Sequence, residues 1–403
     1  MKKKFIEMLD ASDREKRLDA LHSLARMYAS GALSMPKTGE NVNNHIHTTY
    51  SFSPYTPAKA VYLAWESGLA TAGIMDHDSV GGVNEFLEAG RIIGLPVTVG
   101  FECRCSVKGT PFEGRRLNNP DQRSVAYMAM HAIPHQMLGE AERFLAPYRE
   151  KRIVRNRKMT DKLNTKLAPY GLALDYDRDV LPLSQHASGG SVTERHILYA
   201  LAAALTEKEL SRYFLLGMFK SQLAESFYVE ADDELPHISQ FNDLAKKLGA
   251  ISAYAYLGDV GDSITLDKKV QTFEDSYLEE LLAYLAQIGI RAVTYMPARN
   301  SLKQLVRVKA LCQTNGLMQI SGEDINSPQQ KFICEKIKTP EFRHLIDSAW
   351  ALIGHELAAP QGFGMFSKEI EMKMPKLEDR IKYFACLAKS ALAFYQVGKT
   401  PPP

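Results

Sequence analysis

Two histidines one residue apart, His45 and His47, open a series of metal-ligand residue types that runs along the whole chain. Asp76-His77-Asp78 follows, then Glu102 in V-G-F-E-C, His131, and Asp324 in S-G-E-D-I-N. Imidazole and carboxylate are the ligands of Zn, Mn and Fe in mixed nitrogen and oxygen sites. Gathered in one cleft with no cation between them, such groups repel one another or lose solvation without return. The chemistry they point to is that of a divalent metal.

An H-x-H pair alone is a weak signal, and position strengthens it. Short apolar or alternating runs fall near 42–46, 72–76, 96–102, 125–133, 249–255, 290–296 and 317–322. Helical spacing over 57–69, 82–94, 277–289 and 299–315 separates several of them. Strands alternating with such helices read as βαβ units around a parallel sheet, an α/β fold, and seven strands favour a barrel over an open sheet. In a barrel of this kind the C-terminal strand ends form one face, where active sites assemble. His45 and His47 end the first strand as alternate residues on one side. His77, Glu102 and His131 end the next three, and Asp324 the seventh, so the set is expected at one mouth. No glycine-rich phosphate loop opens any of the helices, which speaks against a dinucleotide site.

Residues 1–36 carry Phe5, Met8, Leu18, Leu21, Leu24 and Met27 at the spacing of one amphipathic helix. The barrel then occupies 37–138 and 249–335. Between its halves, 139–248 reads as a helical insertion, too long for a loop and hence a lid or substrate domain. The segment 336–403 reads as helical with a proline-rich end. Within the insertion, Arg149 to Lys166 holds eight Lys or Arg against Glu150 and Asp161. Lys151, Arg155, Lys158 and Lys162 share one face, which is either solvated or a contact for phosphate or nucleic acid.

Composition narrows the class. The 403 residues are 45% hydrophobic and 24% charged, and 49 basic against 47 acidic side chains give no global pull toward nucleic acid or anionic lipid. No run approaches the ~18 apolar residues of a membrane helix. Lys2 to Lys4 meet acidic residues at once, so no signal-peptide core follows. Five cysteines without a C-x-x-C pair fit a reducing compartment. The expectation is a soluble, cytoplasmic protein.

The order H-x-H, D-H, G-x-E, a fourth-strand histidine and a late G-x-D resembles the polymerase-and-histidinol-phosphatase (PHP) family of metal-dependent phosphoesterases, over roughly 40–137 and 249–330. The resemblance implies a distorted seven-stranded (β/α) barrel. It implies that His45, His47, Glu102 and Asp324 hold one divalent metal (Mn, Zn or Fe), and that Glu102 bridges to a second one with His131 and a fifth-strand histidine. Tyr254 stands at that fifth-strand position. Phe52 and Asn326 stand where ligands of a third metal belong, which leaves His77 as a general acid or a supporting residue and one or two metals per chain. The insertion resembles that of members that hydrolyse nucleotides or trim RNA from the 5′ end, through R-x-x-R-N-R-K-M-T-x-K-L-N and T-E-R-H-I.

Phosphoester hydrolysis needs an activated water and neutralised phosphoryl oxygens, which paired metals supply together. With fewer metals, cationic side chains must cover the difference. Arg299 in M-P-A-R-N, Lys303 one turn on, and Arg195 with His196 from the insertion are the candidates, each with the alternative of an ordinary surface role. Glu323, Asp259 and Asp262 are further carboxylates near strand ends. Asn326 reads as a helix cap, and Cys103 and Cys105 as packing thiols facing away from Glu102. The function expected is hydrolysis of a phosphorylated small molecule, nucleotide or short oligonucleotide. The alternatives are a catalytically silent metal- or nucleotide-binding sensor or platform, and a 5′-end ribonuclease acting on single-stranded RNA.

Overall fold

The structure, a computed structural model, describes residues 1–260 and 271–392; the proline-rich end and Asp262 lie outside them. Its first 36 residues form two helices where the spacing predicts one. α1 (Lys2–Met8) stops short, and α2 (Arg14–Ala29) starts beneath Asp13, whose carboxylate accepts the Lys16 N–H at 3.0 Å. Aspartate favours that capping position over a helix interior, which is the reason for the break. α2 buries Leu18, Leu21, Leu24 and Tyr28 against the barrel.

The chain then runs through β1 (Val42–Ile46), α3 (Pro57–Glu66), β2 (Thr71–His77), α4 (Val83–Ile93), β3 (Val97–Ser106) and β4 (Val125–His131). α5 (Leu138–Leu167), α6 (Glu194–Leu205), α7 (Glu209–Phe227) and α8 (Ile238–Leu248) lead to β5 (Ile251–Ala255). α9 (Leu278–Gln287), β6 (Ala292–Tyr295), α10 (Leu302–Asn315) and β7 (Met318–Ser321) complete the sheet, and α11 (His344–Ala358), α12 (Lys368–Lys373) and α13 (Leu377–Ala391) follow. The seven strands lie in chain order. Past β7, the Ile325 N–H donates to the His45 carbonyl at 3.1 Å and the His47 N–H to the Ile325 carbonyl at 3.0 Å, so the sheet nearly closes.

The sheet is not all parallel. β4 runs antiparallel to both β3 and β5. No helix separates β3 from β4, and a chain that turns back without a crossover can only pair antiparallel. The C-terminal end of β4 therefore points away from the mouth. His131 pairs with Gly100, one inward-facing layer below Glu102, which pairs with Ala129.

α11 and α13 plug the far end. Ala351, Leu352 and Phe384 join Ala129, Ile251, Ala253, Ala292, Met318 and Ile320 of the strands in one buried cluster. The helices cross so closely at Gly354 that a Cβ there would lie 2.0 Å from the Phe384 carbonyl oxygen.

The insertion is built on α5, 30 residues or about 45 Å of helix. Its first turns pack on the barrel through Ala141 and Leu145, and α8 returns to the same core through Ile238, Phe241 and Leu244. Beyond the mouth a separate cluster takes over, with Ile153, Met159 and Leu163 of α5, Ile197 and Leu201 of α6, and Leu216 and Phe227 of α7. The basic face expected on α5 does not exist as one surface. Lys151, Lys158 and Lys162 are exposed, whereas Arg155 turns inward with Arg149 and Arg152. Glu234 is the common counter-charge of Arg155, Arg152 and Arg104 of β3: it accepts from Arg155 Nε at 2.8 Å, pairs with Arg104, and lies 3.5 Å from Arg152 Nε, whereas Arg149 pairs with Glu142 of its own helix. Arg152 also meets Asp78, and Arg149 donates to the Asp78 carbonyl at 3.0 Å.

Removing one partner of a buried ion pair strands the other charges. Glu234→Ala should therefore cost about 3 kcal/mol or more of stability in urea unfolding, well above an exposed control such as Glu279→Ala. Burial also lowers the imidazoles of His355 to about 4 and His196 to about 3. Unfolded histidine titrates near ~6.5, so unfolding takes up protons below that value and stability falls as pH drops toward the folded values. Each should cost about 2 kcal/mol between pH 7 and 5, and His355→Gln should flatten the slope.

Candidate metal centre

β1, β2 and β3 deliver their ligands by simple alternation. Gly73, Met75 and His77 of β2 and Gly100, Glu102 and Arg104 of β3 share the inner side, while Ile74, Phe101, Cys103 and Cys105 pack outward in the main core. His77 pairs with Glu102 in register, and its Nδ1 lies 2.9 Å from Glu102 Oε1. Asp324 arrives from the other edge of the sheet. Gly322 admits it: a Cβ at that position would lie 2.5 Å from the His45 Cβ.

The result is a buried knot of imidazole and carboxylate. Glu102 Oε1 lies 3.5 Å from His45 Nε2 and 3.4 Å from His47 Nε2, and Asp324 Oδ1 lies 3.2 Å from His47 Nε2. His45, His47 and Asp324 bring ligand atoms within 4.8 Å of one another, as do His47, His77 and Glu102. Burial works against ionisation of Glu102, yet His77 and His45 hold its carboxyl well below the usual range. Asp324 is half-buried, its side chain 32% exposed, and the neighbouring imidazoles hold its carboxyl well below the usual range.

Hydrogen bonds behind the knot orient His47. Asp76 points outward from β2, accepts from the Thr48 N–H and hydroxyl at 2.6 Å each, and takes the Ser51 hydroxyl at 2.7 Å. Ser51 has thus spent its proton, so its oxygen accepts at 3.2 Å from His47 Nδ1, which carries the ring proton. Nε2 is left as a lone pair pointing into the knot. It is buried and has no hydrogen-bond partner. An orphaned acceptor between two ionised carboxylates is a poor arrangement for protein atoms alone and a good one for a divalent cation.

Other residues are placed differently from expectation. His131 stays in the layer below, where burial lowers it to about 3 and its Nε2 has no partner. Tyr254 faces outward, its hydroxyl accepting from the Asn118 N–H at 3.2 Å, and Ala255 takes the inward place at the mouth. Phe52 packs at right angles on His196, 5.0 Å between ring centres, and anchors the insertion with Tyr199 and Tyr213. His196 is spent on that contact and on capping α6, its Nδ1 accepting from the Thr193 N–H at 3.0 Å. Asn326 caps no helix; its amide donates to Asp324. Arg299 donates from Nε to the Leu257 carbonyl at 3.3 Å and does not line the cavity, and Lys303 is exposed on α10. Glu323 turns to the Ala298 N–H, and Asp259 to the Phe273 N–H.

Of the insertion residues expected near the mouth, Arg195 lines the cavity that opens over the knot. Arg104, Tyr127, Arg152, Glu194 and Lys220 line it too and were not singled out from the sequence. Arg104 was within reach, since it follows Glu102 by two residues on one strand face. The others depend on the insertion's fold.

No family model matches the chain, and no curated protein matches it. Its fold is similar to that of an amidohydrolase from Chromobacterium violaceum, solved with sulfate and no metal, at TM-score 0.55 and 19% identity over 76% of this chain and 95% of that one. It is also similar to a protein of Bifidobacterium adolescentis described as a metal-dependent phosphoesterase, at TM-score 0.54 and 19% identity over 78% of this chain and 97% of that one.

Second-sphere hydrogen bonds commonly set metal affinity by about 10–100-fold. Ser51→Ala should weaken Mn or Zn binding by about that factor in competition titrations with a chromogenic chelator, with the number of sites unchanged at saturation.

Proposed function

We propose that the chain is a metal-dependent phosphoesterase that hydrolyses a phosphorylated small molecule, nucleotide or short oligonucleotide in the cavity between barrel mouth and insertion. The observation that carries this reading is the bare, buried Nε2 of His47 between Glu102 and Asp324. His45, His47, Glu102 and Asp324 are the residues that would hold the metal, with His77 beside Glu102. The chemistry such an ion supplies is charge for the phosphoryl oxygens and a water of lowered pKa.

The chain's own groups supply the rest. Ser51 and Asp76 keep the His47 ring proton on the far nitrogen. Asn326 aims Asp324. His77 lines the cavity with about one-fifth of its side chain exposed, and it is the imidazole placed to exchange a proton with the leaving oxygen. The roof formed by α5, α6 and α7 covers the mouth in part, leaving Asp324 and His77 partly exposed, and strengthens the charge interactions beneath it where it displaces water. His131 in the lower layer is the residue nearest to a second centre, and Ala255 offers no ligand to complete one.

A second reading, a catalytically silent metal- or nucleotide-binding platform, is favoured by one specific observation: of the residues at the implied ligand positions, Phe52, Tyr254 and Asn326, Phe52 packs on His196 and Tyr254 faces away from the mouth. The ribonuclease reading drew on the basic run of α5, whose Arg149, Arg152 and Arg155 are engaged inside the fold.

Protein purified without chelator or histidine tag is expected to carry about one metal per chain by elemental mass spectrometry and to cleave aryl phosphates. His45→Ala and Asp324→Ala should lose the metal and at least about 100-fold in rate while keeping the parent's melting profile. Parent-like rates in both variants would remove the enzyme reading.

A further inference from the structure

Every arginine of the buried network between barrel and insertion has a carboxylate. Arg104, Arg152 and Arg155 share Glu234, Arg104 and Arg155 share Glu194 at 3.6 and 3.2 Å, and Arg152 has Asp78 as well. Two cations of the same roof differ. Arg195, in the first turn of α6, and Lys220, in α7, line the cavity together with His45, His77, Glu102 and Asp324. Among the described residues, neither forms an ion pair within 4.0 Å or a side-chain hydrogen bond.

The two cations feel each other. Arg195 is the leading cause of a lowered Lys220 ammonium, ahead of lost solvent, and the charges of Asp121, Glu194 and Asp324 oppose the shift. Arg195 also helps to hold Asp324 ionised. Glu194 is committed to Arg104 and Arg155, and Asp121, itself pushed up by burial, makes no ion pair with either cation. Like charges held together over a cavity, with their nearest acids engaged elsewhere, repel until an anion lies between them. The acids beneath are not that anion: Glu102 and Asp324 together match the charge of one divalent ion.

We propose that Arg195 and Lys220 are the anion-binding half of the site and hold the phosphoryl group of the substrate against the metal centre. The assignment rests on the phosphoesterase reading for its ligand. It divides the labour between two parts of the chain, with metal held by the barrel and phosphoryl oxygens held by the insertion. Phe52 links the two, because it carries α6, and with it Arg195, over the mouth. The loss of ligand chemistry at Phe52 and Tyr254 is then offset by two positive charges from above, Arg195 half-buried and Lys220 exposed. A guanidinium can take two phosphoryl oxygens at once, and the ammonium a third.

The test is calorimetric titration of inorganic phosphate into the full-length, metal-loaded protein, with metal content and melting temperature measured on each sample. Arg195→Met and Lys220→Met should each weaken phosphate binding about tenfold or more, with parent metal content, and Lys220→Arg should restore most of the loss. The proposal is overturned if the parent binds no phosphate, if both Met variants bind it as the parent does, or if they lose metal along with phosphate. Phosphate binding that depends on both residues in a protein without esterase activity would support the clamp and remove the hydrolase reading. Esterase activity with phosphate binding indifferent to both residues would do the reverse.

Discussion

Two backbone hydrogen bonds on either side of Ile325 close the end of β7 onto β1, and the mouth depends on them. They bring Asp324 to within 3.2 Å of His47. Without that closure Glu102, His45, His47 and His77 would form one wall, with no second carboxylate opposite. The closure requires Gly322, because any side chain there would meet His45. It also sets two ionised carboxylates, Glu102 buried and Asp324 half-buried, against the same imidazoles, an arrangement that is costly for the buried charge unless something cationic shares it. The imidazoles do so in part. His47, with its proton tied to Ser51, cannot do so through Nε2 without a second proton.

α5 couples this barrel to its roof. One continuous helix packs on the barrel through Ala141 and Leu145 and on the insertion through Ile153, Met159 and Leu163. Its inner face also carries Arg149, Arg152 and Arg155; Arg152 and Arg155 are held by carboxylates outside the helix, and Arg149 by Glu142 of α5 and the Asp78 carbonyl. Glu234, in the segment between α7 and α8, ties β3 and α5 together through three guanidinium groups. Rigid placement of the roof over the mouth follows, because each of these charges is buried and none can leave its partner cheaply.

Positions without metal-ligand chemistry have structural employment. Phe52 is a lid anchor, Tyr254 an outward packing residue that fixes Asn118, and Asn326 an orienting donor to Asp324. Each supports the remaining centre rather than leaving a gap. A cavity whose floor is a single ligand knot and whose roof carries positive charge is the combination that follows. A likeness of fold at 19% identity is compatible with such rearrangement, since the architecture tolerates changes that a ligand set does not.

Much of this was legible in one dimension. Period-two alternation at β1, β2 and β3 placed His45, His47, His77 and Glu102 on one side, and residue type named the chemistry, because side-chain direction along a strand is a local property. Seven strands and a helical insertion followed from runs and spacings in the same way. His131 shows where that reasoning stops. Its residue type and strand were read correctly, but the direction of β4 is set by the absence of a crossover helix, and direction decides which end of the barrel a strand end reaches. The basic run shows it again: Arg155 and Lys158 sit three apart on one helix, and only the position of Glu234, 79 residues on, draws one inward and leaves the other in water. Long-range charge pairing and chain closure are properties of the folded molecule, so Lys220, Arg152 and the orphaned nitrogen of His47 became visible only there.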